Sequence, residues 1–339
     1  GARLFRLKPD GKLSKSFDAD ARIQCAVEWP KENLILAGCA DDKVIAFNAN
    51  GSRRWVFTSV LAPEVEATQK YYWFKPAYPG VYSLAVAATR DGEALFAGSA
   101  CTTEKIAADG SLIRRYPHTW GPGRQLGVVK GEHGFENVFA LRHSAADGNY
   151  MWTVDGYDGS SAVRFRDNLP GFKNFPSFGS LYRTKAFIAD FDGDGKDEVA
   201  ADSQGMYLWL NVYDGDGKPK YQLNLGPGEK GMGKFYLDLA AGDVTGDRRP
   251  EIALVNKFRE LVLLDGKADA LWNKPLPFMP AKVGVAGKKI YVAGELCGMV
   301  FDGAGEPVAE FKLPENANEI VTVEDRVLIR CNKAVYEIK

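Results

Sequence analysis

Residues 186–202 read AFIADFDGDGKDEVAAD, and this stretch guides the interpretation of the whole chain. Two apolar segments flank a short acidic loop. Its carboxylates stand at positions 1, 3, 5 and 9, as Asp190, Asp192, Asp194 and Glu198. Carboxylates on alternate residues of a turning chain converge, and they repel one another unless a hard cation lies between them. Oxygen ligands in this number suit calcium, and the carbonyl of Lys196 at position 7 would add another. The stretch therefore predicts a calcium site.

Two other interpretations apply to the same residues. Asp and Gly dominate turns, so the stretch is also compatible with a hairpin turn that holds no metal. An EF-hand is a poorer match, because it needs a twelve-residue loop with Glu at position 12 and a helix on each side. The flanks here have the apolar character of strands, which favours a cation loop between two strands.

A second stretch repeats the pattern. Residues 240–255 read AAGDVTGDRRPEIALV. Positions 1, 3, 5 and 9 are Asp243, Thr245, Asp247 and Glu251, and the carbonyl of Arg249 stands at position 7. A threonine replaces one acid and two arginines add positive charge. The second stretch is therefore a weaker copy, and the sequence leaves open whether it holds a metal.

Both stretches resemble FG-GAP (VCBS-type) repeats, the calcium-loop repeats of integrin-like β-propellers and of many secreted bacterial proteins. The resemblance covers about a third of the chain. It implies that each loop joins the two innermost strands of a blade and binds calcium. It also implies a secreted, periplasmic or cell-surface protein. The rest of the chain resembles the generic blades of PQQ-like propellers, without the features of a quinone site.

A glycine-containing turn between two short apolar strands recurs along the chain, at intervals of 39 to 59 residues. Its glycines are Gly11, Gly51, Gly110, Gly159, Gly217, Gly266 and Gly305. No long segment has a helical period, so the pattern indicates an all-β chain. Irregular repeats of this length are typical of propeller blades with loop insertions. We predict one β-propeller domain over residues 1–339.

Seven four-stranded blades account best for the pattern. The N-terminal segment supplies outer strands only and the C-terminal segment inner strands only, so we expect both ends to share a closing blade. One strand is left over. It allows a five-stranded closing blade, or a segment of an eight-bladed parent, as alternatives.

The composition bounds the partners. With 45% hydrophobic residues, the 339-residue chain can form a large core. Its 43 basic and 44 acidic residues give a net charge of −1, which offers no support for binding to nucleic acid or to an anionic membrane. No apolar run approaches the roughly 20 residues that span a bilayer. We expect a monomer.

The five cysteines indicate neither a disulfide framework nor a zinc site, because their number is odd and no CxxC occurs. Four of them, Cys39, Cys101, Cys297 and Cys331, end similar apolar segments. Buried thiols at equivalent blade positions are the favoured interpretation. A disulfide between Cys25 and Cys39 remains an alternative.

Four insertions, at 61–80, 117–124, 166–182 and 225–235, are rich in aromatic residues or glycine. We expect all four to join the last strand of one blade to the first strand of the next, on the face opposite the acidic loops. Aromatic rings beside polar groups can bind sugars. The candidate ligand-binding residues are Tyr71, Tyr72, Trp73, His118, Trp120, Arg124, Lys173 and Asn174. The alternative is that these aromatics pack the inserted loops onto the fold.

Catalysis is weakly indicated. The chain has three histidines, no HExxH and no GxSxG, which argues against a transition-metal centre or a serine nucleophile. A polysaccharide lyase or another glycan-active propeller enzyme would draw on His118, His143, Tyr150, Arg124 and Arg142. Our first hypothesis is a calcium-stabilised module that binds a glycan or a protein. The lyase is the second, and a scaffold domain of a larger protein is the third.

Overall fold

The computed structural model describes residues 1–61, 63, 80–100, 102–117, 123–131, 133–142, 151–155, 162–164, 186–203, 209–224, 236–267, 269–323 and 325–338. Strands dominate these residues, with a 3-10 turn at Pro30–Glu32. Within the described part, no helix is long and apolar enough to cross a membrane. The chain groups into two compact units. One is Gly1–Ala186 with Tyr213–Pro219, and the other is Phe187–Val212 with Lys220–Lys339.

The strands form consecutive antiparallel sheets. Those before residue 186 are β1 (Arg3–Leu7), β2 (Leu13–Asp18), β3 (Ile23–Trp29), β4 (Leu34–Cys39), β5 (Lys43–Asn48), β6 (Arg53–Thr58), β7 (Ser83–Thr89), β8 (Gly92–Ser99), β9 (Thr102–Ile106), β10 (Leu112–Pro117), β11 (Gly123–Lys130), β12 (Glu136–Arg142), β13 (Met151–Asp155) and β14 (Ala162–Arg164). Those from residue 186 on are β15 (Ala186–Ala189), β16 (Glu198–Ser203), β17 (Trp209–Tyr213), β18 (Pro219–Asn224), β19 (Tyr236–Gly242), β20 (Glu251–Asn256), β21 (Glu260–Leu264), β22 (Ala270–Pro275), β23 (Pro280–Ala286), β24 (Lys289–Gly294), β25 (Cys297–Asp302), β26 (Pro307–Lys312), β27 (Glu319–Val323), β28 (Arg326–Arg330) and β29 (Val335–Ile338).

Among the described residues, six sheets have four strands in sequence order: β3–β6, β7–β10, β11–β14, β15–β18, β19–β22 and β23–β26. We call them blades one to six. They match the six complete blades that the sequence predicts, and the all-β prediction is confirmed. The remaining strands form a two-stranded sheet, β1–β2, and a three-stranded sheet, β27–β29. The shared closing blade and the count of seven therefore remain predictions.

The second and third strands of a blade are the most deeply buried. Every residue of β4 and of β20 is buried, whereas the fourth strands β6, β22 and β26 are mostly exposed. Sequences such as LILAGC are apolar on both sides of the strand, so both faces can pack against neighbouring sheets. Leu210 of blade four and Leu254 of blade five belong to one such shared cluster.

A tryptophan packs on the recurrent turn of the next blade in two places. Trp272 of blade five donates its Nε1–H to the carbonyl of Gly303 at 2.9 Å, and its ring lies over Gly305. Trp55 of blade one makes the same bond to Ala108 at 2.9 Å and lies over Gly110. Both turn glycines have positive φ and leave no room for a Cβ. At these two turns the contact, together with the positive φ, requires glycine.

Two boundaries differ from the sequence-based expectation. β11 begins at Gly123, so the backbone of Arg124 belongs to a strand and not to an inserted loop. Cys297 begins β25, whereas we expected it to end a strand. At β11 the polar stretch Gly123–Gln125 pairs with β12, which local hydrophobicity does not reveal. At Cys297 the turn comes before the cysteine, so that the apolar residues after it form β25.

The described cysteines, Cys25, Cys39, Cys297 and Cys331, are free thiols. Cys25 packs in the core cluster shared by blades one and two, and Cys39 packs in the cluster around Phe17. Their strands are paired, but the two side chains join different clusters, so the alternative of a Cys25–Cys39 disulfide is not realised. Burial raises the pKa of Cys25 to about 12 and that of Cys39 to about 11, which makes both thiols unreactive at neutral pH.

The contact between Trp272 and Gly305 predicts a difference between two glycine substitutions. Gly305→Ala should lower the free energy of unfolding by more than the roughly 1–2 kcal/mol that a left-handed alanine costs, because the indole must also move. Gly195→Ala is the matched control, since Gly195 has φ +87° and nothing within 4 Å of an added Cβ. Urea unfolding measures both. Equal losses would contradict a structural role for the indole contact.

Candidate functional site

The first acidic loop, residues 190–198, joins β15 to β16, the first two strands of blade four. Asp190 organises it by accepting backbone N–H groups from Gly193 at 2.7 Å and from Gly195 at 2.8 Å. Glu198, at the start of β16, accepts the N–H of Phe191 at 2.9 Å. Side-chain oxygens of Asp190, Asp192 and Asp194 lie within 4.8 Å of one another. The loop therefore places these three predicted ligands together.

The second acidic loop, residues 243–251, joins β19 to β20 in blade five and repeats the same bonds. Asp243 accepts the N–H of Gly246 at 2.6 Å and of Arg248 at 3.0 Å. Glu251 accepts the N–H of Val244 at 2.9 Å. Arg248 stands where the first loop has Gly195, and it adopts the same left-handed backbone, with φ 73°. The two loops thus share one conformation.

The two loops differ in the residue at the third position. In the second loop, the Thr245 hydroxyl donates to Glu251 at 3.0 Å. In the first loop, Asp192 has no proton to donate, and the ammonium of Lys220 pairs with both Asp192 and Glu198, at 2.7 Å from the latter. The pKa of Lys220 is raised, because the bonds to the two carboxylates outweigh the opposing effect of burial. A protein cation therefore lies inside the first loop.

The family resemblance implies calcium at both loops, and the donor chemistry can be compared with that expectation. Asp243, Asp247 and Glu251 also bring carboxylate oxygens within 4.8 Å of one another. Each loop thus offers three oxygen donors of the type that calcium takes. In the first loop Glu198 stands outside the group of three aspartates and is engaged by Lys220. In the second loop Thr245 bonds to Glu251 within the loop.

The predicted ligand-binding residues cannot be placed. Tyr71, Tyr72, Trp73, His118, Trp120, Lys173 and Asn174 lie outside the described residues, and so do His143 and Tyr150. Arg124 and Arg142 are described only as backbone in β11 and β12. The four predicted insertions fall largely in the same gaps. The glycan-binding and lyase hypotheses therefore remain predictions.

The sequence analysis did not identify two adjacent charged residues that are buried in blade two, Glu104 and Lys105. Glu104 is fully buried and accepts hydrogen bonds from Ser59, at 2.8 Å, and from the backbone N–H of Val60, at 3.3 Å. Arg115 lies 3.6 Å from the same carboxylate. Burial raises the pKa of Glu104, and these partners offset that effect only in part. Glu104 thus links β9 to the end of blade one.

The next residue, Lys105, points to the opposite side of the sheet. Its ammonium bonds to Asp155 of blade three at 2.8 Å and to the Thr89 hydroxyl at 3.0 Å. The side chains of Lys105 and Asp155 are 3% and 4% exposed. The exposed Asp91 lies 3.4 Å from the same ammonium. Lys105 therefore links blade two to blade three through a buried ion pair.

The sequence did contain a signal for this pair. β9 reads TTEKI, whereas the third strands of other blades read KVIAFN and ELVLL. Consecutive strand residues point to opposite faces, so adjacent charges in a buried strand must each find a partner on a different neighbouring sheet. Adjacent opposite charges in an inner strand therefore predict polar contacts to both neighbours.

Exposed apolar side chains lie at one end of blades five and six. Phe258, in the β20–β21 turn, is 57% exposed, Met279 is 42% exposed and Leu296, in the β24–β25 turn, is 57% exposed. The backbone N–H of Leu276 donates to the carbonyl of Arg259 at 2.7 Å, which ties the link between the blades to the first turn. We call Phe258, Met279 and Leu296 the apolar tips. Connectivity places them at the opposite strand ends from the acidic loops.

An open groove of about 450 Å³ lies beside the apolar tips. It is lined by Pro277, Phe278, Cys297, Gly298, Met299, Glu310, Phe311 and Lys312. Its floor is apolar and its rim carries one acid and one base. Three of its residues belong to β26, the edge strand of blade six. The groove therefore offers an apolar pocket next to a strand edge.

Comparison with known proteins agrees with the repeat pattern. Residues 190–254, which contain both acidic loops, match the FG-GAP-like repeat family. The match spans less than half of the chain. No curated protein matches the chain.

Solved structures resemble the whole chain in fold. BamB from Moraxella catarrhalis has a TM-score of 0.61 at 13% identity, over 96% of this chain and 85% of BamB. The Dos1 propeller has a TM-score of 0.64 at 11% identity, over 98% and 81%. BBS1N, solved in complex with ARL6DN, has a TM-score of 0.52 at 8% identity, over 94% and 91%. The fold is thus a β-propeller, and at these identities the likeness extends to the fold alone.

Lys105 has two acidic neighbours, the buried Asp155 and the exposed Asp91, and we predict that their removal has unequal effects on stability. Asp155→Ala should lower the free energy of unfolding by about 3 kcal/mol, because it leaves a buried ammonium without its main partner. Lys105→Met added to Asp155→Ala should recover part of the loss. Asp91→Ala, which removes the exposed partner of the same lysine, should change stability little. Chemical denaturation checks all three, and a large loss from Asp91→Ala alone would contradict this assignment.

Proposed function

We propose that this β-propeller is a protein-interaction module that binds an extended segment of a partner protein at the groove in blade six. The observation that carries the proposal is the groove with its neighbouring apolar tips. Three large apolar side chains at 42–57% exposure lie near one apolar pocket, and apolar surface next to a pocket is typical of protein-binding sites. Aromatic and methionine side chains are enriched where proteins bind one another.

The edge of β26 favours a strand-like segment as the ligand. Among the strands that the structure describes, β26 pairs with β25 alone, so its other edge can form main-chain hydrogen bonds with a ligand. A peptide paired along β26 would present alternate side chains to Phe278, Met299 and Phe311. Glu310 and Lys312, both exposed at the rim, can each pair with an opposite charge on the peptide. This arrangement suits a peptide with a bulky apolar residue between charged ones.

The structural neighbour BBS1N, solved in complex with ARL6DN, supports a protein ligand as the first choice. The aromatic residues on which the glycan hypothesis depends lie outside the described residues. The secreted, periplasmic or cell-surface location and the monomeric state remain predictions.

We also infer that calcium binds the acidic loops and stabilises their blades. The donors are the clustered carboxylates of Asp190, Asp192 and Asp194 in the first loop. In the second loop the donors are the carboxylates of Asp243, Asp247 and Glu251. When bound, the ion would neutralise carboxylates that otherwise repel one another at the strand ends.

Selection of peptides from a random displayed library tests the protein-binding proposal. The enriched peptides should carry bulky apolar residues at alternate positions. A synthetic peptide of the consensus sequence should bind the wild-type protein in calorimetry. Leu296→Asp should weaken that binding at least tenfold, since a charge would replace an apolar contact beside the groove.

Leu271→Asp is the matched control, because Leu271 is 47% exposed but lies in β22 outside the groove. It should leave the affinity unchanged. Failure to enrich any peptide, or equal affinity for the wild type and Leu296→Asp, would overturn the proposal. A panel of uronic-acid polysaccharides, monitored for the ultraviolet absorbance of an unsaturated product, would then reveal the lyase alternative.

Melting curves test the calcium inference. Millimolar calcium should raise the melting temperature relative to EDTA, because an ion that binds only the folded state stabilises it. Asp190→Asn with Asp243→Asn should remove the difference. In each loop the amide oxygen can still accept the N–H groups that one carboxylate oxygen holds, whereas the bond to the other oxygen is lost. A wild-type protein that melts identically in calcium and EDTA would show that the loops are turns without metal.

A further inference from the structure

The two acidic loops differ at two related positions. One is the third residue of the loop, and the other is a residue on the fourth strand of the same blade. The first loop has Asp192 at its third position, and Lys220 of β18 reaches it. The second loop has Thr245 at that position, and Leu271 of β22 occupies the place of Lys220. The equivalence follows from the turns, since Asp214 N–H donates to the carbonyl of Lys218 and Asp265 N–H to that of Asp269, both at 2.9 Å, two residues before Lys220 and Leu271.

We propose that Lys220 is the resident counter-cation of Asp192 and Glu198 in the first acidic loop and that it competes with calcium for Asp192. This rests on the calcium inference above and adds a residue outside the loop that sets the affinity. Lys220 belongs to the fourth strand of blade four, 22 residues after Glu198. It is therefore not part of the repeat motif.

The contacts show why the first loop needs a cation from elsewhere. Glu198 is almost fully buried, at 1% side-chain exposure, and one of its oxygens accepts the N–H of Phe191. Its other oxygen lies 2.7 Å from the Lys220 ammonium, which also pairs with Asp192 and lies 4.0 Å from Asp194. A buried carboxylate beside a second carboxylate is costly unless a positive charge neutralises both.

The second loop holds its final glutamate by a hydroxyl, although the ammonium of Lys288 lies beside Gly246 of that loop. The oxygen of Glu251 that corresponds to the Lys220 partner accepts the Thr245 hydroxyl instead. With one carboxylate fewer at the third position, a neutral donor suffices. Leu271, at the place of Lys220, is 47% exposed. The chain thus contains two combinations that can be compared, Asp192 with Lys220 and Thr245 with Leu271.

Competition follows because the ammonium and a calcium ion would both use the Asp192 carboxylate. Calcium at the first loop must either displace Lys220 from Asp192 or bind with one carboxylate fewer. Either route weakens calcium binding relative to a loop without the lysine. The four acids of the first stretch, counted alone, overstate its affinity for calcium.

Calcium titration by calorimetry tests the proposal in an Asp243→Asn background, which silences the second loop. Lys220→Leu, which installs the blade-five residue, should tighten calcium binding at least tenfold at low ionic strength. Lys218→Leu is the control, because Lys218 is an exposed lysine in the preceding turn and should leave the affinity unchanged. Asp192→Thr combined with Lys220→Leu should lose the gain.

Stability provides a second readout. In EDTA, Lys220→Leu should lower the melting temperature, and adding Asp192→Thr should restore most of it. Lys220→Gln serves the same purpose if Lys220→Leu does not fold. If the Asp243→Asn protein binds no calcium but its Lys220→Leu variant does, the proposal on Lys220 is supported. The absence of binding in the Asp243→Asn protein would then count only against calcium at the natural first loop. Equal affinity, or no binding, in both proteins would overturn it.

Discussion

The inner strands of each blade have no side that faces water, and the other features of the structure follow from this constraint. A strand such as β4 or β20 is buried along its whole length, so each side chain must be apolar or must find a polar partner on a neighbouring sheet. Glu104 and Lys105 obey the same rule, because their charges are met by Ser59 on one side and Asp155 on the other. Among the described residues, most exposed charged side chains lie in turns, loops and outer strands, where binding can occur.

The contacts between consecutive blades extend this constraint to the surface. The fourth strands are exposed on one side, yet Trp55 and Trp272 cover the next blade's turn and satisfy a carbonyl there. The ring can lie flat only where the turn lacks a Cβ, as at Gly110 and Gly305. At these two turns the recurrent glycine is thus half of a contact whose other half lies about 30 to 55 residues earlier.

Sequence patterns predicted those features that depend on residues close together in the chain. Turn glycines and apolar segments located six four-stranded sheets, and the acidic stretches were predicted to be loops between the first two strands of a blade. Patterns failed where the partner is distant in sequence. The start of β11, which places Arg124 in a strand, depends on pairing with β12, and the burial of Glu104 depends on Ser59, 45 residues away. The groove in blade six was also missed, because its lining comes from three separate segments.

The acidic loops show how a repeat motif can keep its shape while its charge balance moves elsewhere. Both loops keep the same backbone bonds to their first aspartate and to their final glutamate. These bonds fix the conformation, and they tolerate an arginine at a left-handed position. The final glutamate is held separately, by a hydrogen bond from the neutral Thr245 hydroxyl in one loop and by the ammonium of Lys220 on an outer strand in the other. The number of acids in such a motif therefore describes its conformation well, whereas its affinity for a cation depends on side chains that the motif does not contain.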